Sequence, residues 1–238
     1  MTIKNTLLNF FFYLRNPKVP QSEKSIITIK SFFILFIFSM ITDYLLNLIS
    51  SNSWLINNLK INNIETHVKE IYSKGFWYCF IVIVLVGPLI EELLLRSYIK
   101  SFIWNYCLVP INIGIIIIGI FQIRGYSLLV ICPGILILNN LIFTKISNFK
   151  RPKLKYLKFY IKKYHFYFYL SAITFGTLHI NNYQIEHLNP FLTIFLVLPQ
   201  ISAGLFLGYI RIFMGLQWSI SFHALHNLFF LILLFINH

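Results

Sequence analysis

Phe76-Trp-Tyr-Cys-Phe-Ile-Val-Ile-Val-Leu-Val-Gly-Pro-Leu-Ile90 is a strongly apolar run that ends on Glu91-Glu92-Leu-Leu-Leu-Arg96. A membrane-spanning helix needs about 20 mostly apolar residues, and this run supplies them. The acids decide how it is read. One acidic side chain at the centre of a membrane helix costs roughly 2.5–3.5 kcal/mol on insertion scales. Two of them, with an arginine one turn on, mark a functional site by default. In a helix Glu92 and Arg96 are i,i+4 and share a face. Glu91 points about 100° away from Glu92. The arginine then holds one carboxylate while the other faces a cavity. The plain alternative is a charge pair at the end of a span, with snorkelling side chains.

The rest of the chain extends this reading. It has 238 residues, 58% of them hydrophobic, and only 11% charged, against about 25% charged in soluble domains. Its mean hydropathy is +0.73. These values predict an all-α, polytopic transmembrane bundle. Apolar segments of spanning character fall at 31–49, 76–95, 108–123, 127–144, 166–180, 191–212 and 218–236, about seven in all. Residues 1–30 read as a cytoplasmic, interfacial segment and 31–238 as one membrane domain. Leu7 to Leu14 is a short apolar patch followed by Arg15 and Lys18, with no small-residue cleavage site of a signal peptide. Cys79, Cys107 and Cys132 lie in or beside apolar segments without a CxxC pair, which speaks against disulfides and a cysteine zinc site.

A net charge of +13 suggests nucleic acid at first sight. Its distribution argues otherwise. With the N-terminus inside, sixteen of the 20 Lys and Arg fall on the inner side, and only Lys60, Lys69, Lys74 and Arg124 fall outside. That is the bias of cytoplasmic loops. Eight of the inner charges crowd into the basic loop 145–164, between Lys145 and Lys163, interleaved with Tyr156, Phe159 and Tyr160. The loop suits anionic lipid at the inner leaflet rather than nucleic acid. The expected location is a plasma membrane of a prokaryote, crossed several times, with the N-terminus cytoplasmic.

Three polar clusters lie in separate apolar segments: Glu91-Glu92-x-x-x-Arg96, Phe175-Gly-Thr-Leu-His179 and His223-Ala-Leu-His226-Asn227. His223 and Asn227 share a helix face, and His226 stands off that stripe. A single His or Asn in a membrane helix is often only an interhelical hydrogen-bonder. Together, a carboxylate, imidazoles and a carboxamide are the parts that activate a water and steady an oxyanion.

These residues resemble the EExxxR, FxxxH and HxxxN motifs of the CPBP intramembrane proteases, the group of type II CAAX prenyl endopeptidases and bacteriocin-processing relatives. The lead-in Gly215-Leu-Gln-Trp218-Ser219-Ile220-Ser221-Phe222 is also similar to that family's approach to its third motif. The similar region covers about residues 85–230. The resemblance implies an intramembrane endopeptidase acting on a membrane-associated peptide or protein. Glu91 would be the water-activating base, and Glu92 and Arg96 would hold the site. Phe175 would shape it. His179, His223 and Asn227 would bind the water or the oxyanion. The favoured chemistry is metal-free, since carboxylate, imidazole and amide suffice for general-base hydrolysis. Zinc held by Glu91, His179 and His223 is the other form, with an open fourth position. There is no HExxH.

One departure stands out: 78 residues separate Arg96 from Phe175, where relatives place the two motifs close together. Two other functions share the same residues. One is a non-catalytic membrane protein that binds a peptide, such as a bacteriocin-immunity factor. The other is a small transporter with Glu91 as a proton relay, although no inverted repeat is visible.

Overall fold

The computed structural model describes residues 2–19, 28–61, 73–121, 152–183, 185 and 189–236. The expected span at 127–144 and the first part of the basic stretch lie outside the described residues. The described residues are almost entirely helical, as expected of an all-α bundle. One antiparallel bridge, Ile61 to Ile185, ties two connections together.

Among the described residues ten helices follow in chain order. They are α1 (Ile3–Arg15), α2 (Ile29–Ser50), α3 (Ser53–Leu59), α4 (Phe76–Lys100), α5 (Phe102–Phe121), α6 (Pro152–Lys162), α7 (Tyr164–Leu178), α8 (Pro190–Leu196), α9 (Leu198–Phe213) and α10 (Leu216–Ile236). A 3₁₀ turn, His179–Asn182, continues α7. Helices α2, α4 and α10 are long and apolar enough to cross a membrane. Shorter apolar stretches lie at Leu108–Ile120 in α5 and along α9.

Helix α7 forms the middle of the bundle and packs against α9, α5 and α4. Its environment is therefore protein on most sides: ten of its residues are buried, among them Ser171, Thr174 and Thr177. Such a helix need not be uniformly apolar. The threonines hydrogen-bond back to α7 carbonyls, Thr174 to Leu170 O at 2.7 Å and Thr177 to Thr174 O at 3.0 Å, which satisfies their hydroxyls inside the core.

The α7–α9 contact is set by small residues. Gly204 and Gly208 lie four apart on one face of α9. A Cβ on Gly204 would come within 2.8 Å of Ala172 Cα, and one on Gly208 within 2.9 Å of the Phe168 ring. This is the close approach that small residues permit between membrane helices. Gly215, at φ 101°, then turns the chain between α9 and α10.

Two expectations are corrected. Residues 191–212 do not form one span. They form α8 and α9, broken at Val197, whose φ of −105° and ψ of 14° leave the helical ladder. Pro199 follows in the first turn of α9, where its missing N–H has no helical partner to lose. The basic stretch 145–164 is not wholly a loop either, because Pro152–Lys162 is helical. Residues 3–15 form a helix docked on the bundle. Phe10 is 2% exposed and stacks on Phe206 of α9 with ring centroids 4.4 Å apart. Tyr13 packs edge-on against Phe168, Tyr209 and Phe213.

Candidate active site

Helix α4 is not regular. Phe80–Val86 is a π-helix, in which Gly87 N–H bonds Val82 O five residues back. Pro88 supplies the cause. It has no N–H to give Val84, and its ring would clash with that carbonyl in an α-helix. Widening the turn relieves the clash. It also leaves Ile83 O, whose partner five residues on would be Pro88, without a backbone donor. Asn227 of α10 fills that place, its Nδ2 donating to Ile83 O at 2.8 Å. π-Segments of this kind often mark functional sites, and this one immediately precedes the two glutamates.

The glutamates have separate surroundings. Glu92 is fully buried. Its Oε1 accepts from Arg96 Nη1 at 2.5 Å, and its Oε2 accepts from Ser219 Oγ of α10. Ser219 also contacts Leu207 O of α9 at 3.2 Å, so α4, α9 and α10 meet at one hydroxyl. Glu91 keeps 29% of its side chain exposed, and its Oε2 has no hydrogen-bond partner in the protein. The i,i+4 spacing thus puts Glu92 with Arg96 and leaves Glu91 facing a cavity.

His223 stands between the two acids. Its Nδ1 is 3.4 Å from Glu92 Oε1 and its Nε2 is 3.8 Å from Glu91 Oε2. The second distance is too long for a hydrogen bond. His179 stands on α7's terminal 3₁₀ turn, with Nδ1 2.8 Å from Phe175 O. In the neutral form that donates from Nδ1, Nε2 is left as an acceptor. Phe175 packs against all of them. Its ring lies 4.6 Å from Arg96 Cζ, 4.9 Å from the His179 ring and 5.2 Å from the His223 ring. Cation–π contact adds to the hold on Arg96.

Glu91, Phe175, His179, His223 and Asn227 line one cavity of about 630 Å³, bounded by α2, α4, α7, α9 and α10. Residues from motifs more than 100 positions apart are thereby brought to one space. Glu92 and Arg96 stand behind it. Among the described residues no three His, Cys, Asp or Glu side chains are arranged to hold a metal ion.

Two cavity residues escape sequence reasoning. Asp43 of α2 is 2% exposed, and its Oδ2 is 2.6 Å from His226 Nε2. His226 reads as a bystander beside the His223/Asn227 stripe, yet it has this partner. An aspartate inside an apolar helix is the signal that points to it. Ser219, the partner of Glu92, carries no such signal.

A family model described as type II CAAX prenyl endopeptidase Rce1-like matches residues 73–229. The chain belongs to that family. The match takes in α4, α7, α9 and α10, and with them every residue of the three clusters. This CAAX-type family is one of membrane proteases, and its substrates are membrane-associated proteins or peptides. With three helices apolar and long enough to span, the chain is an integral membrane protein. No curated protein and no solved structure matches it.

Proposed function

We propose that the chain is an intramembrane endopeptidase in which Glu91 is the general base. The division between the two glutamates carries this reading. Glu92 has its charge and both oxygens engaged, whereas Glu91 lines the cavity with 29% of its side chain exposed and no hydrogen bond on Oε2. A base must reach its proton within hydrogen-bond distance, and only Glu91 of the two can.

In this mechanism a water in the cavity gives one proton to Glu91 as its oxygen attacks the scissile carbonyl carbon. His179, fixed by Phe175 O, accepts the water's other O–H through Nε2 and so aims it. The carbonyl oxygen takes up the displaced electron pair and becomes an oxyanion. His223 donates to it, and the second N–H of Asn227, beyond the one given to Ile83 O, does the same. Collapse of the tetrahedral species breaks the C–N bond, and the proton on Glu91 passes to the leaving nitrogen. Glu92, Arg96 and Ser219 hold α4 and α10 in register, so that His223 keeps its place beside Glu91. Phe175 shields the arginine and sets the ring planes of both histidines.

We further propose that the N-terminus is cytoplasmic, that the cavity opens to the cytoplasm, and that the basic 145–164 stretch lies on anionic lipid. The chemistry is metal-free, because a carboxylate base with imidazole and amide donors completes the reaction. The test is hydrolysis by the purified protein in proteoliposomes, with products of membrane-anchored peptides read by mass spectrometry. Turnover should survive prolonged chelation. Loss on chelation with recovery on zinc alone, and about one zinc per chain by elemental analysis, would reject the metal-free form.

A further inference from the structure

Beyond the constellation around Glu91, one more ionisable pair faces the same cavity. Asp43 and His226 join α2 to α10 at 2.6 Å, and both line the cavity. The Asp43 side chain is 3% exposed. Its second oxygen, Oδ1, is buried with no hydrogen-bond partner. A purely interhelical role accounts for Oδ2 and Nε2. It does not account for Oδ1, since a buried carboxylate oxygen without a donor is costly in apolar surroundings.

The same shortage recurs around the cavity wall. Glu91 Oε2 and Gln200 Oε1 are also buried acceptors without donors. Among the described residues, none of those lining the cavity is a lysine or arginine. Arg96 is fully buried against Glu92 and Phe175. Two carboxylates, Asp43 and Glu91, therefore line the cavity opposite imidazoles, His226 and His223, and no permanently charged cation is among its described lining residues. A group rich in donors and positively charged matches that wall.

We propose that Asp43, held by His226, forms a cation-recognition subsite for the ammonium or guanidinium group of a peptide substrate. That the ligand belongs to a peptide rests on the peptidase reading above. An ammonium brings three donors and a guanidinium five, against the oxygens of Asp43 and Gln200. A sphere of the cavity's volume is about 11 Å across, roughly three residues of extended chain. The basic group thus lies within about three residues of the bond that is cut. Asp43 reaches the cavity from α2, ahead of the residues 73–229 that the family model matches.

The test uses the full-length protein in proteoliposomes and sets of membrane-anchored peptides, identical except for Arg, Gln or Glu at one position. Arg peptides should be cleaved about tenfold faster than their Gln counterparts at one or more positions near the cut, the effect of one charge-assisted hydrogen bond. Glu peptides should be slowest. In Asp43→Asn, which keeps an acceptor for His226, the Arg-to-Gln ratio should fall to about one. No Arg preference in the wild type, or an unchanged ratio in the variant, overturns the subsite. If Asp43→Asn does not accumulate, the wild-type preference decides. If no peptide is cut by either protein, the peptidase reading falls, and the subsite is judged by binding. Arginine amide should then raise the thermal unfolding temperature of the solubilised wild type but not of Asp43→Asn. An equal shift in both, or none in either, overturns it.

Discussion

The α7–α9 and α4–α10 contacts are built from opposite materials. Across α7–α9, Gly204 lies on Ala172 and Gly208 on Phe168, so the helices are held by close approach of small residues. Across α4–α10, the helices are held by polar groups: Ser219 on Glu92, Asn227 on Ile83 O, and His223 between the glutamates. The first contact is paid for with dispersion and shape alone. The second brings polar groups together in apolar surroundings, and it leaves Glu91 Oε2, His223 Nδ1 and two Arg96 nitrogens without a hydrogen bond. The difference separates two tasks. Packing fixes where α7 holds Phe175 and His179. The polar contact supplies the groups that face them.

Substitutions at the polar contact should therefore divide cleanly between turnover and stability. Glu91→Gln should lower turnover by about 10²–10⁴-fold, the range of general-base catalysis. Glu91 makes no hydrogen bond that the amide would lose, so stability should stay within about 0.5 kcal/mol. Wild-type turnover in the variant would remove Glu91 from its role. Arg96→Ala should do the reverse in emphasis. It leaves Glu92 buried with its charge unmatched, which costs about 3–5 kcal/mol. Chemical unfolding in detergent would measure it. A double Glu92→Gln/Arg96→Met variant should be less destabilised than Arg96→Ala alone, because no unpaired charge remains.

At the packing contact the effect should be smaller and graded by what the new methyl meets. Gly204→Ala places a Cβ against the Ala172 backbone, which cannot move aside. A loss of about 1–3 kcal/mol is expected. Gly208→Ala meets a ring edge of Phe168, which can turn, and should cost less. Equal losses at the two positions would mean that the helices separate as units rather than yielding locally.

How much of this was legible in the sequence follows the same division. The Glu92–Arg96 pair lies within one helical turn, so its spacing alone predicts the contact that forms. The all-α class and the long spans follow from apolar runs. The break at Val197 is also legible in principle, since Pro199 interrupts an apolar run whose length alone suits a span. Contacts between distant segments were not. Ser219 meets Glu92 across 127 positions and Asp43 meets His226 across 183. A serine or a lone aspartate carries no record of its partner. The π-segment was hidden too, because an apolar run reads alike in α and π geometry. Only Gly87-Pro88 hinted at it.

A coupling between two positions asks whether Asn227 belongs to the polar contact as structure, as chemistry, or as both. Its Nδ2 meets Ile83 O, a carbonyl that lacks a donor because residue 88 is proline. Asn227→Leu strands that carbonyl and should cost about 1–3 kcal/mol. Pro88→Ala restores an N–H to the ladder, either to Ile83 O across the π-turn or by letting the segment relax to α. In that background Asn227→Leu should cost little, and the double-mutant cycle should show a coupling of about 1 kcal/mol or more. Additive losses would mean that the hydrogen bond to Ile83 O contributes nothing to stability. Turnover gives the second reading from the same four proteins, compared as the Asn227→Leu effect within each background. An Asn227 that only clamps the π-turn should lose its effect on turnover along with its effect on stability once residue 88 donates. An Asn227 whose second N–H meets the oxyanion should still cost activity in the Pro88→Ala background, because no backbone repair on α4 replaces a donor aimed into the cavity.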